Sequence, residues 1–475
     1  MSLPKPLGRA LQAITHPEPF HLTETLFLRL LGLVYLAAFG SLWPQITGLI
    51  GSNGIVPAAQ LMASLHQQGA SPLSDAPTLF WFGISDNALI AACVVGCIAS
   101  LTLFVGFYSR ISALVCWALY LSLTTVGQPF TGFQWDALLL EAGFLALFAG
   151  TPWLVWAYRF LLFRLMFESG VVKLASGDPN WRNFHALRFH FMTQPLPNPL
   201  AYYAYRLPTW MLDSMTFGAV AIELVAPFVL FCPRRVRHVG VGLLMLLQLM
   251  ILLTGNYAFF NFLALALCLW GFDDRTFAPI RGWLRRTVPT VRFPPLRRGL
   301  GAALALIVLI GAIQVIDMFE PFSRPFAFLG PWQVVNTYGL FAVMTTTRPE
   351  IVIEGSDDTE HWREYTFPYK PGPLHRGLPF VAPYQPRLDW QMWFAALGDY
   401  QQNVWMGGLL YRLLTGSPAV TKLLDPPPFQ KPPRYMRALL YEYRFTTPHE
   451  RSQTGAVWER TLRGTWFGPV SLRGR

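Results

Sequence analysis

Apolar runs long enough to cross a bilayer recur through residues 26–320, and no other feature constrains the fold as strongly. About 20 apolar residues span the hydrocarbon core of a membrane, and a backbone placed there must satisfy its own hydrogen bonds, so such runs become helices. Nine are read, over 26–48, 88–107, 111–127, 135–156, 158–175, 210–231, 236–254, 257–272 and 299–319. The fifth is the least apolar, carrying Arg159, Arg164, Glu168 and Lys173, and the fourth and fifth also read as one hairpin broken near Pro152. Charged residues are 13% of the chain, against about 25% in soluble domains, and they crowd into the loops and the last third.

The net charge of +11 does not mark a nucleic-acid binder, because the arginines flank apolar spans instead of covering a soluble face. Membrane proteins keep such residues on the cytoplasmic side. Arg234, Arg235 and Arg237 lie between spans six and seven. Arg275, Arg281, Arg285, Arg286, Arg292, Arg297 and Arg298 lie between spans eight and nine. Span parity allows both loops to be cytoplasmic, with Lys5 and Arg9 also inside and everything after 320 outside. The organisation that follows is a cytoplasmic segment 1–25, a helical bundle 26–320 and an extracytoplasmic domain 330–475. External loops 49–87, 128–134 and 255–256 carry no Lys or Arg. Loop 176–209 carries Arg182, Arg188 and Arg206, which are therefore expected to have specific partners.

The N-terminal 20 residues are Pro-rich and polar and lack the form of a cleavable signal. All five cysteines lie in or at the ends of apolar spans, with no disulfide framework, C-x-x-C pair or zinc spacing. Cys93 and Cys97, four apart, read as small buried hydrophobes. No cofactor is implied.

The last third reads as a β-rich α+β domain. Glu350-Ile-Val-Ile-Glu354 alternates like a half-buried strand, Gly355-Ser-Asp-Asp358 turns, and Trp362–Tyr369 returns. Trp390, Trp393, Phe394 and Leu397 share one helical face, facing either a core or a membrane interface. Pro426–Pro428 and Pro432-Pro433 read as a stiff connector, and Trp458, Trp466 and Phe467 as a final β piece.

Ionisable residues within spans are costly and are the first functional candidates. Asp136, at a span end, reads as interfacial, and Arg29 as snorkelling. Arg164 and Glu168, four apart, can pair along one helix face. Glu141 and Glu223 lie deeper, and either bonds within the bundle or acts. Lys173 is the one lysine between Lys5 and Lys370. Lysine, unlike arginine, can lose its proton when desolvated and serve as a base. Its position at the external end of span five equally suits a snorkelling side chain. The segment that follows, from Gly177 to Pro199, is rich in hydrogen-bonding and aromatic groups and stiffened by Pro195, Pro197 and Pro199. Asp178, Trp181, Arg182, His185, His190 and Gln194 make it the place for a binding site. His185 and His190 are five apart, too far round a helix for a zinc pair, so no metal is expected.

Phe167-Glu-Ser-Gly-Val-Val-Lys-Leu-Ala-Ser-Gly-Asp-Pro-Asn-Trp-Arg-Asn-Phe184, followed by Thr193-Gln-Pro-Leu-Pro-Asn-Pro199, closely resembles the lipase maturation factor family. Phe133-Gln-Trp-Asp136, Leu140-Glu-Ala-Gly-Phe144, Asn256-Tyr-Ala-Phe-Phe-Asn261, Val335-Asn-Thr-Tyr-Gly-Leu-Phe341, Glu350-Ile-Val-Ile-Glu-Gly-Ser356, Pro386-Arg-Leu-Asp-Trp-Gln-Met-Trp-Phe394 and Arg437-Ala-Leu-Leu-Tyr441 resemble it too. Tyr384 stands where the family pattern has a histidine. The resemblance implies a polytopic protein with a lumenal or extracytoplasmic C-terminal domain, acting in the maturation of secreted lipases. Its eukaryotic relatives sit in the endoplasmic reticulum. It also makes Arg387, Asp389 and Trp390 binding candidates. The Arg-over-Lys bias and compact N-terminus suggest a bacterial inner-membrane member. Gly170-Val-Val-Lys-Leu174 with Trp181 is more distantly similar to the membrane domain of vitamin K-dependent γ-carboxylases, which implies Lys173 as a base.

Two functions follow. In the first, the chain is a non-enzymatic maturation factor that binds secreted client proteins, lipases above all, outside a membrane whose lipids surround it. In the second it is a membrane enzyme acting on a lipid or quinone, with Lys173 as base and Glu141, Glu168 or Glu223 tuning it. The two differ in whether Lys173 faces a cavity or the interface.

Overall fold

The computed structural model describes residues 20–282, 294–319 and 326–472. Lys5 and Arg9, the basic residues Arg285, Arg286 and Arg292, and most of the segment 1–25 lie outside the described residues. Each expected apolar run contains helix: α1 His21–Leu42, α2 Asp86–Val105, α3 Ser109–Val126, α4 Gln134–Ala146, α5 Leu154–Ala175, α6 Thr209–Val225, α7 Arg234–Thr254, α8 Phe260–Cys268 and α9 Pro294–Asp317. Six helical segments among the described residues are long and apolar enough to cross a membrane: His21–Leu42, Asp86–Val105, Ser109–Val126, Thr209–Phe231, Arg234–Thr254 and Leu296–Asp317.

The run 135–156 is not one helix. α4 stops at Ala146, and the chain turns through Gly150 at φ +83° before α5 starts at Leu154. Pro152 has no N–H to continue a helix, and the Gly150 N–H donates to the Glu24 carboxylate of α1. α1 and α2 cross closely because glycines face each other's helix. A Cβ on Gly32 would lie 2.6 Å from the Phe104 backbone nitrogen, and one on Gly96 would lie 2.5 Å from the Phe39 ring. Small residues at such crossings let helices pack without the hydrophobic drive that water supplies. α5 is central, packing on α4, α6, α8 and α9.

The C-terminal part carries one antiparallel sheet of order β2-β1-β3-β4, with β1 Pro349–Ser356, β2 Arg363–Tyr365, β3 Tyr435–Phe445 and β4 Trp458–Ser471. β1 runs on through Gly355 and Ser356, the first half of the expected turn, and the chain reverses over 357–362 before a β2 shorter than the expected 362–369, with Ile353 opposite Tyr365. β1 is buried on both faces, not half-buried. Helix α10, Arg387–Ala396, packs on β1, and Glu350 is itself buried, paired with Arg348 and with Lys370, each at 2.8 Å. The alternation failed because glutamates usually mark a solvent face, whereas these two carboxylates have cations brought to them: Glu354 meets Arg437 at 2.6 Å. α10 buries Trp390 and Trp393 and leaves Phe394 and Leu397 partly exposed.

One apolar core runs from Phe27 of α1 through Trp390 of α10 to Ile351 and Ile353 of β1. The C-terminal part rests on one end of the bundle. It meets Gln45 beyond α1, Asp136 at the start of α4, and the segment 192–206. The opposite end carries Arg234 against Asp273 at 2.6 Å and Asp274 capping the first N–H groups of α1.

Candidate functional site

Residues 166, 169 and 173 fall three and four apart on α5, so Met166, Ser169 and Lys173 form one face. Met211, Met215, Gly218 and Ile222 repeat the spacing on α6, and Leu247, Ile251 and Thr254 on α7. These faces, roofed by Trp181, His190 and Phe341, enclose a cavity of about 500 Å³.

Lys173 does not snorkel to the interface. Its Nζ donates to Glu223 Oε1 at 2.8 Å, to Oε2 at 2.7 Å and to the Ser169 carbonyl at 3.3 Å. Trp181 covers it, ring centroid 5.3 Å away, which closes the outward path. Across the cavity wall, the His190 ring and the Tyr257 hydroxyl are 2.9 Å apart, and Tyr257 donates to Gln194 Oε1, also at 2.9 Å. Gln194 Nε2 donates to the Thr254 carbonyl at 2.8 Å, which fixes the amide's orientation. Burial, with Lys173 adding to it, pushes the His190 imidazole down to about 4, so it is neutral at pH 7.

The remaining sequence candidates lie elsewhere. Arg164 turns away from Glu168 and bonds Glu141 of α4, as well as the Asn336 carbonyl at 2.8 Å. Glu141 also accepts from Tyr338 Oη at 2.8 Å, and Glu168 accepts from the Tyr338 N–H at 2.7 Å. These glutamates therefore anchor the stretch 336–338 rather than line the cavity. Asp178 accepts from the N–H groups of Asn180 and Met344, and Trp181 Nε1 donates to the Phe341 carbonyl at 2.8 Å. Arg182 donates to the Leu174 carbonyl at 3.2 Å, Arg188 forks onto Asp213, and Arg206 bonds the Tyr202 and Thr446 carbonyls. The three basic residues of this loop thus have the partners expected of them. His185 stays near Asp213, outside the cavity.

Asp136 is not interfacial. It is buried and holds both terminal nitrogens of Arg387, at 3.0 and 3.1 Å, because α10 carries that guanidinium into the bundle end. Arg387 also donates to the Phe130 carbonyl at 2.7 Å and lies 3.1 Å from Tyr120 Oη. Asp389 Oδ1 accepts from the N–H groups of Tyr369 and Lys370 at 2.9 and 2.8 Å, and burial raises its carboxyl to about 6. Trp390 packs on Trp135, centroids 4.6 Å apart. Among the described residues no three His, Cys, Asp or Glu side chains gather as a metal site requires.

Sequence reasoning missed Tyr257 and Tyr338. Tyr257 sits in Asn256-Tyr-Ala-Phe-Phe-Asn261, where a short polar turn between two apolar runs was the available signal.

A helical bundle with a sheet-bearing part clamped over one end, and a buried ion pair on an internal cavity, defines a polytopic membrane protein of the anchored-domain type. Residues 22–279 match the lipase maturation factor transmembrane domain and residues 334–468 the lipase maturation factor C-terminal domain. The chain belongs to the lipase maturation factor family. It is similar to lipase maturation factor 2 of Gallus gallus, 34% identical over 95% of this chain and 82% of the relative. It is also similar to lipase maturation factor 1 of Bos taurus, 34% identical over 96% and 90%, and to lipase maturation factor 2 of Homo sapiens, 33% identical over 95% and 83%. No solved structure matches the chain.

Proposed function

We propose that this chain is a membrane-anchored maturation factor for secreted lipases or related exported proteins, with its clients bound by the C-terminal part on the extracytoplasmic side. One observation carries the reading: both family segments are present in order, and the C-terminal one is seated on one end of the first, against the start of α4 and the segment 192–195. The nine helices cross the membrane, with the soluble domain 330–475 outside and the N-terminus inside, in a bacterial inner membrane. Two placements support that orientation. Arg234, Arg235, Arg237 and Arg275 gather at the bundle end opposite the sheet, as cytoplasmic residues would. The loops that receive the C-terminal part include 49–57 and 128–134, which lack basic residues: Arg412 donates to the Gly54 carbonyl and Arg387 to that of Phe130.

Lys173 lines the cavity, the placement on which the enzyme reading turned, so the two readings are separated at this residue. Its Nζ lies within hydrogen-bond distance of Glu223 and the Ser169 carbonyl, and the reading without a catalytic step rests on the relatives, which are named as lipase maturation factors. We assign Lys173, Glu223, Trp181 and His190 to the cavity, with Gln194 behind its wall holding Tyr257. Glu141, Glu168, Asp178 and Arg387 brace the C-terminal part, with Asp389 and Trp390 inside that brace. The test is the specific activity of secreted lipases, per mass of secreted protein, in the parent, a deletion strain and a Lys173→Ala strain at matched levels of the folded factor. Deletion lowers specific activity and Lys173→Ala does not. A deletion without effect overturns the proposal, and a Lys173→Ala loss equal to deletion returns the enzyme reading.

A further inference from the structure

The cavity between α5, α6 and α7 is apolar over most of its wall, and it opens sideways. Met211 of α6 and Leu246 and Met250 of α7 line it, yet they are 37%, 49% and 42% exposed. A residue that both lines a cavity and shows on the outer surface stands at its mouth. The mouth therefore lies on the bundle flank between two helices that are long and apolar enough to cross a membrane. In a bilayer such an opening meets acyl chains rather than water. The size suits one small molecule or single chain, within the usual range of about 300–1,000 Å³ for ligand pockets.

The polar groups on the wall have a definite hydrogen-bonding sense. Gln194 offers Oε1 to Tyr257, so the single Tyr257 proton goes there. His190 Nε2 must then carry the hydrogen and donate to Tyr257 Oη. In a neutral imidazole this leaves Nδ1 as an acceptor, for which no bond is made among the described residues. Glu223 is the second acceptor. A carboxylate has about four lone-pair positions, and Lys173 occupies two. Lys173 has no comparable spare donor, since its protons go to Glu223 and Ser169. The donors left on the wall are Trp135 Nε1, which has no partner, and Gln248 Nε2, which reaches only the Met166 sulfur at 3.6 Å, so the wall presents acceptors at Glu223 and His190 and donors at Trp135 and Gln248. A head with hydroxyls to donate and an ester carbonyl to accept matches both sets, whereas a carboxylate brings no donor for Glu223 or His190 and repels the Glu223 carboxylate.

We propose that this cavity binds a single-chain membrane amphiphile with an uncharged, hydroxyl-bearing head, entering between α6 and α7, its chain on Met215, Ile222 and Ile251 and its hydroxyls on Glu223 and His190. The site is independent of whether the clients are lipases. It belongs to the membrane half of the molecule, and nothing in the C-terminal sheet is needed to fill it.

Gly218 supplies the test. It lines the cavity, and a Cβ built on it meets nothing within 4 Å, so Ala fits there at no cost in space and a larger side chain has room to start into the void. The full chain is placed in nanodiscs of phosphatidylethanolamine and phosphatidylglycerol with monooleoylglycerol bearing a mid-chain diazirine. After irradiation, labelled peptides are mapped by mass spectrometry. Label falls on 209–225 and 234–254, saturates, and is competed by unlabelled monooleoylglycerol. The oleic acid analogue with the same diazirine labels these peptides at least tenfold less. Gly218→Phe abolishes the label, and Gly218→Ala keeps it. Equal labelling by the acid, or no competition by unlabelled monooleoylglycerol, overturns the proposal on the unaltered protein, so it does not depend on how the variants fold. Label retained in Gly218→Phe overturns it as well.

Discussion

Arg387 and Lys173 are both buried cations held by a carboxylate, but their surroundings differ. Arg387 reaches from α10 across to α4 and is met by Asp136, the Phe130 carbonyl and Tyr120. It joins two parts of the chain, and further polar groups depend on it. Lys173 and Glu223 join neighbouring helices of the bundle, and the pair borders empty space. A buried charge pair is costly to desolvate and pays off only where geometry and surrounding hydrogen bonds are good. The first pair is embedded in such a network. The second leaves acceptor capacity facing a cavity, which suits a ligand better than a brace.

Truncation separates the two most sharply. Arg387→Met strands the Asp136 carboxylate and costs about 3–5 kcal/mol, read as thermal unfolding in detergent with early protease cleavage in 336–348. Adding Asp136→Leu restores only part, since the Phe130 carbonyl and Tyr120 remain without their partner. Lys173→Met costs about 3 kcal/mol for the same reason, but Lys173→Met/Glu223→Leu recovers nearly all of it, because little else depends on that pair. Equal recovery in the two double variants would erase the distinction.

Smaller effects sharpen the same picture of a part clamped on a bundle. Asp389 has its folded carboxyl raised to about 6, above the unfolded value of about 4. The folded state therefore holds the proton more tightly. This contribution is fully present below pH 4 and is lost as pH rises through 6, on the order of 2 kcal/mol. Asp389→Asn keeps an oxygen for the Tyr369 and Lys370 N–H groups. It flattens the stability profile between pH 4 and 6 in detergent melts. The smallest change is Asp178→Ala, which leaves the Met344 N–H without its acceptor and costs about 1.5 kcal/mol. Limited proteolysis should then show faster nicking at 341–348, with the bundle helices unaffected.

Much of the architecture was legible in the amino-acid order. Each of the nine apolar runs contains helix, strands β1 and β2 lie in the stretches read as strand although β1 runs through half of the expected turn and β2 is shorter, and the loop arginines Arg182, Arg188 and Arg206 found partners. These are local properties. The length of an apolar run and the need to satisfy its backbone decide a helix whatever surrounds it. The fate of each ionisable side chain was not local. Asp136 read as interfacial and is buried against Arg387, 251 residues away. Arg164 had Glu168 one turn along and took Glu141 instead. Lys173 had an open route to the surface until Trp181 covered it. A low-dielectric interior requires a buried charge to find a partner, and that requirement can be read from the sequence. Which partner it finds depends on segments brought together only when α10 and the stretch 336–344 settle on the bundle, and tertiary structure alone decided that.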